Sequence, residues 1–133
     1  LSFTETFPVP KRQKEERIVK RSLGALVAVF DYSTVDEEEF HDWYDTEHIP
    51  EMQRIPGILT IQRFLAVNRE KYSVAIYDLE DLAVLASPAY RAVVGVQYSP
   101  WTKRIIGKTR LFLRYEATRH VPGINWHRES REP

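Results

Sequence analysis

The chain has 133 residues, 43% of them hydrophobic and 29% charged, enough for one domain with a buried core. Nineteen Lys and Arg balance nineteen Asp and Glu, so no net field recruits nucleic acid, and without cysteine there is no disulfide, thiolate nucleophile or sulfur-bound metal. No apolar run approaches the ~20 residues that span a bilayer, and the first residues lack the regions of a secretory signal, which points to a cytoplasmic protein.

Residues 1–22 read as an N-terminal extension. Pro8 and Pro10 interrupt structure early, and residues 11–21 carry six basic and two acidic side chains without stacking aromatics. Residues 23–32, rich in β-branched and aromatic side chains, predict a first strand. The acidic segment 36–52 follows, with Phe40, Trp43, Tyr44 and Glu47-His48 recurring at helical spacing. Carboxylates at its start oppose the helix dipole, and Thr34 or Asp36 caps it. Pro50 predicts an end or kink just after His48. Ile55-Pro56-Gly57 is a turn signal, residues 58–67 a second strand, and 68–71 a hairpin into a third strand over 72–79. A second helix over 81–94, kinked or split in two at Pro88, leads through a loop holding Pro100 to Arg104 to a last strand over 109–117. Residues 23–118 therefore form the domain, and 119–133 a polar C-terminal tail.

The order β-α-β-β-α-β predicts a ferredoxin-like α+β fold, with a four-stranded antiparallel sheet and both helices on one face. The other face should be polar, yet the first and third strands are apolar on both sides (Leu26, Ala28 and Phe30 against Ala25, Val27 and Val29). A sheet apolar on both faces needs cover on both, and the same face of a second copy supplies it by two-fold symmetry. A homodimer is the expected partner state.

The motif Glu39-Phe40-x-x-Trp43-Tyr44-Asp45-x-x-His48-x-Pro50, followed by Pro56-Gly57 and a strand with Arg63, resembles the EthD-like branch of the dimeric α+β barrel proteins. Ser87-Pro88-Ala89-Tyr90 and Pro100-Trp101-Thr102-x-Arg104 add to the likeness, which covers residues 24–117. The resemblance implies a ferredoxin-like protomer whose sheets meet across a dimer axis and enclose a small-molecule cavity. It leaves the reaction open, since the superfamily holds cyclases, decarboxylases, isomerases, cofactor-free monooxygenases and haem enzymes.

His48 is the leading catalytic candidate, because an imidazole takes and returns a proton near neutrality. Asp45, three residues earlier, would orient one ring nitrogen, and Tyr44 would be a second donor. The competing reading is a structural His48 that closes the helix. Arg63, inside an apolar strand, either pairs with Asp31 or Asp78 or anchors a substrate carboxylate or enolate. Trp43, Tyr77 and Trp101 are the other candidates for substrate contact, with Trp101 and Tyr90 alternatively packing the rim. His41, Asp45 and His48 share a face, but no further ligands join them, so no metal is expected. No phosphate loop, dinucleotide fingerprint or nucleophile elbow is present, so no cofactor is expected. The favoured function is a cofactor-independent lyase or isomerase moving a proton next to the carbonyl of a small apolar or aromatic compound. A non-catalytic binding or stress-related barrel protein and a cofactor-free monooxygenase are the alternatives. Neither nucleic acid nor membrane is an expected partner.

Overall fold

The structure, a computed structural model, describes residues 22–68 and 70–120. The expected N-terminal extension (1–22) and C-terminal tail (119–133) lie outside the described residues except for Ser22, Arg119 and His120. Within them run β1 (Gly24–Asp31), α1 (Glu37–Trp43), a π-helical turn (Tyr44–His48), α2 (Ile49–Gln53), β2 (Ile58–Leu65), β3 (Tyr72–Leu79), α3 (Pro88–Arg91), α4 (Pro100–Lys108) and β4 (Leu111–Thr118). The four strands form one antiparallel sheet in the order β2-β3-β1-β4. This is the expected ferredoxin-like arrangement, with the helices on one face.

Alternation decides which side chains meet the helices. Along β1, Gly24, Leu26, Ala28 and Phe30 are buried, while their neighbours are half-buried on the other face. In β3, Ser73, Ala75, Tyr77 and Leu79 are buried in the same way. Register places Ala28 between Ala75 and Arg114, and Phe30 between Ser73 and Phe112. Phe30 meets the rings of Phe40, Trp43 and Tyr44 edge-on at 5.6–5.9 Å and stacks on Phe112 at 4.6 Å. Such pairs add ~0.5–1.5 kcal/mol each to the burial of their area.

The opposite sheet face is also apolar, as its sequence predicts. Phe64, Leu113 and Tyr115 are 51%, 37% and 55% exposed there, beside Val27 and Val29. No element of the described residues covers it.

Two helical expectations need correction. The first helix does not stop at His48: it runs on through Pro50 to Gln53. Asp36 caps its start by accepting from Glu39 N at 2.9 Å. Near Pro50 the ladder widens, and Ile49 N–H bonds to Tyr44 O five residues back. A proline ring inside a helix clashes with the carbonyl four residues earlier, and a π turn just before it opens the space that the ring needs. The second helix, expected over 81–94 as kinked or in two pieces at Pro88, does break before Pro88, though its pieces are short. A 3-10 turn at Leu82–Ala86, the four-residue α3 and another 3-10 turn at Gly95–Gln97 replace it. The segment expected as a loop, Pro100 to Arg104, is instead the start of α4. Ser87 and Ser99 each accept from the backbone N–H three residues on, at 3.2 and 3.0 Å, and a proline follows each. Serine at the cap with proline at the first helical position is the preferred helix opening, so each Ser-Pro pair starts a helix.

Gly57 closes the turn into β2 with φ +95°, and a Cβ there would lie 2.4 Å from Val84 Cγ2. Backbone conformation and the packed 3-10 segment both require glycine at this position.

Candidate functional site

A narrow pocket with free room of about 20 Å³, partly open to solvent, lies between the sheet and the helical layer. Leu26, Ala28 and Phe30 of β1 and Tyr77 of β3 form its floor. Trp43 and His48 enter from the first helix, and Tyr90 and Tyr98 from the segment after β3. Phe112 and Arg114 of β4 complete it. The pocket thus sits under the helices, and the cavity expected between two sheets is not where these residues converge.

His48 is held by rings. It stacks on Trp43 at 4.7 Å with 20° between the planes, and Tyr44 meets it edge-on at 5.5 Å. Its Nδ1 is sealed from solvent and has no hydrogen-bond partner. Burial pushes the imidazole down to about 4, with Glu47 opposing this more weakly. The ring is therefore neutral at pH 7. A buried polar atom without a partner costs ~1–3 kcal/mol.

Trp43 is fixed from behind. Its Nε1 donates to Thr102 Oγ1 at 2.9 Å, and Thr102 Oγ1 donates to Glu47 Oε2 at 3.1 Å. Ser99 Oγ also donates to Glu47 Oε2. The opening of α4 thereby locks the ring on which His48 rests, and the sequence gives no spacing that announces this. On α2, burial and the charge of Glu47 raise the pKa of Glu51, whose Oε1 is buried without a partner.

The expected site residues divide between two places. Trp43, Tyr77 and His48 line the pocket. Tyr44 is fully buried beside it; Tyr77 and Ser73 lie near its hydroxyl, but neither completes a hydrogen bond. Burial raises the Tyr44 phenol to about 12 and the Tyr77 phenol well above its ordinary value, so both stay protonated. Asp45 does not orient His48, because its carboxylate accepts from Arg63 Nη1 at 3.2 Å. In the wider π turn three residues cover less of the circle than in an α-helix, so Asp45 and His48 point apart.

Arg63 is also elsewhere. Its guanidinium lies over the Tyr44 ring at 4.3 Å, Nε donates to Ser73 Oγ at 3.3 Å, and Nη2 meets His41 Nδ1 at 2.6 Å. Neither Asp31 nor Asp78 is its partner: Asp31 binds Ser33, and Asp78 accepts from Thr60. Arg63 closes a paired, half-buried cluster on the flank of the helix. Trp101 Nε1 donates to Glu39 Oε2 at 3.1 Å, which joins α4 to α1 away from the pocket. No group of three His, Asp or Glu among the described residues stands close enough to hold a metal ion.

Arg114 is the pocket residue that the sequence did not single out. The signal lay in strand parity: it shares a face with Phe112, so it turns under the helices. Nη2 donates to Tyr90 Oη at 2.8 Å, and Nη1 reaches Glu116 at 3.5 Å.

A model of the EthD domain matches residues 33–108, more than half of the chain. The chain belongs to the EthD domain family. No match was found among curated proteins. Solved structures share the fold at low identity. A dimeric ferredoxin-like protein from an uncultured marine organism is 6% identical with TM-score 0.61, covering 81% of this chain and 96% of its own. An EthD family protein of Bacillus halodurans is 15% identical with TM-score 0.52, covering 73% and 98%. A Streptomyces coelicolor monooxygenase from the gene ActVA-Orf6, in complex with nanaomycin D, is 13% identical with TM-score 0.53, covering 80% and 95%. Among the described residues, no helix is long and apolar enough to cross a membrane.

Proposed function

We propose that this EthD-family chain is a cofactor-independent enzyme of the lyase or isomerase type, acting by proton transfer on a small aromatic or apolar carbonyl compound. The observation that carries the reading is the neutral His48 imidazole, which lines an apolar pocket and leaves one ring nitrogen without a hydrogen-bond partner. A neutral imidazole there acts as a base toward a C–H next to a carbonyl. The proton moves to the ring, the C–H electron pair becomes an enolate, and the Tyr77 phenol is a donor for the developing oxyanion. The proton then returns to a different carbon, or the enolate attacks a second carbonyl to close a ring.

The open sheet face supports a two-fold homodimer, and one of the solved relatives is described as dimeric. The likeness to the Streptomyces monooxygenase supports a second reading, in which the same deprotonation yields a carbanion that reacts with oxygen without a cofactor.

Screening aromatic β-keto acids, 1,3-diketones and hydroxynaphthoquinones with three readouts separates these readings. Uptake of solvent deuterium next to the carbonyl, with product formed under nitrogen, is the expected result. Turnover only with oxygen consumed selects the monooxygenase. Ligand binding with no change in any readout contradicts an enzyme and leaves a binding protein.

A further inference from the structure

The contact between Arg63 and His41 depends on charge. A guanidinium stays ionised and offers only donors, so the 2.6 Å approach of Arg63 Nη2 to His41 Nδ1 requires that nitrogen to accept. His41 is therefore neutral here, with its ring proton on Nε2, which faces Glu37 Oε2 at 3.8 Å. Tyr32 and Phe40 hold the ring in this pose, meeting it edge-on at 5.3 and 5.6 Å. A second proton would put an N–H on Nδ1, aimed at a cation, and the two charges would repel.

This contact joins two elements. β2 is an edge of the sheet, paired with β3 alone among the described strands. Arg63 reaches from it to α1 and the π turn: its side chain is 14% exposed, Nη1 donates to Asp45 Oδ1 at 3.2 Å, and the guanidinium lies over the Tyr44 ring. Nε donates to Ser73 Oγ at 3.3 Å, which seats the arginine against β3. The groups around His41 pull in both directions. Burial and Arg63 of β2 oppose its protonation, while Glu37, Asp42 and Asp45 on its own helical segment favour it. Lys71, at the start of β3, pairs with Glu37 and draws off part of that attraction.

From this geometry we propose that His41 and Arg63 form an acid-sensitive latch between α1 and β2. With the ring neutral the latch is closed, and Arg63 ties the edge strand to the helix. When the ring takes a second proton it turns towards Glu37, Arg63 loses its accepting partner, and β2 loosens from the flank. The ladder between β2 and β3 is not part of the contact, so the change is a local opening. The latch stands apart from the pocket and from the reaction assigned to it.

The test is NMR of the full chain as the pH is lowered from 7.5. It follows the His41 ring, the Arg63 Nε–H signal that the Ser73 bond protects, and amide exchange along β2. The Arg63 signal is expected to fade as His41 titrates. The β2 amides should then exchange about tenfold faster, after correction for the pH dependence of exchange itself, the scale of one hydrogen bond to a charged group. His41→Gln keeps a carbonyl that accepts from Arg63 at every pH, so it is expected to hold both signals constant over the same range. Arg63→Met removes the opposing cation and is expected to move the His41 titration to higher pH. An Arg63 signal indifferent to the titration of His41 overturns the latch. So does a ring that stays neutral until the chain unfolds, an acid loosening that persists in His41→Gln, or an unmoved titration in Arg63→Met.

Discussion

His48 is neutral in the fold because its ring is buried against Trp43 and Tyr44, and that neutrality has a consequence for stability. The folded pKa of about 4 lies below the ordinary 6.5, so between these values the unfolded chain binds more protons. Stability is then highest above pH 6.5 and falls as the pH drops toward 4, by up to about 3 kcal/mol from this residue. Burial and Arg63 lower the pKa of His41, which works in the same direction, whereas the raised pKa of Glu51 works against it. Urea unfolding at pH 7 and pH 4 is expected to show a loss for the wild type about 3 kcal/mol larger than for His48→Gln. Equal losses would mean that the folded imidazole titrates normally. Among single residues, His48 stands out in the sequence because an imidazole two positions before a proline falls in step with two aromatics. α-Helical spacing would set Asp45 beside His48, but the π turn sends Asp45 to the flank, where it meets Arg63. Arg114 was overlooked because a lone arginine in a strand looks like surface until the register assigns its face.

At the scale of elements, the strands were read nearly to their ends, because period-two alternation and turn residues bound each of them. The helices after β3 were not. Proline was taken as an interruption, although the two Ser-Pro pairs open α3 and α4. The sheet carries the clearest unmet demand. Val27, Val29, Leu113, Tyr115 and Phe64 lie on its outer face without cover from any described residue. Burying such a face contributes roughly 25 cal/mol per Å² of apolar area, so a second copy is its natural cover. A dimer is expected in sedimentation velocity at micromolar concentration. Val29→Asp combined with Leu113→Asp should shift it to monomer with the helical signal retained, because a desolvated carboxylate in that interface has no partner. A wild-type monomer, or an unshifted dimer in the double variant, would count against sheet-to-sheet pairing.

For the molecule as a whole, two apolar layers divide the work. The outer face of the sheet is the surface for assembly, and the inner face with its helices makes the pocket. The pocket under the helices lies on the other side of the sheet from the cavity that the resemblance implies between two sheets. What closes the inner pocket is a long-range network. Trp43, Thr102, Glu47 and Ser99 meet across more than fifty positions, and no local pattern encodes that meeting. The same network fixes Trp43, the ring on which His48 stacks, and the proposed function rests on His48. The most direct measurement is kcat/KM of His48→Gln against wild type on the best substrate from the screen, with binding of that substrate measured alongside. The account predicts a loss of at least about a hundredfold in kcat with affinity changed by less than about tenfold, the range expected for removal of a general base. A variant that turns over as fast as the wild type would contradict it.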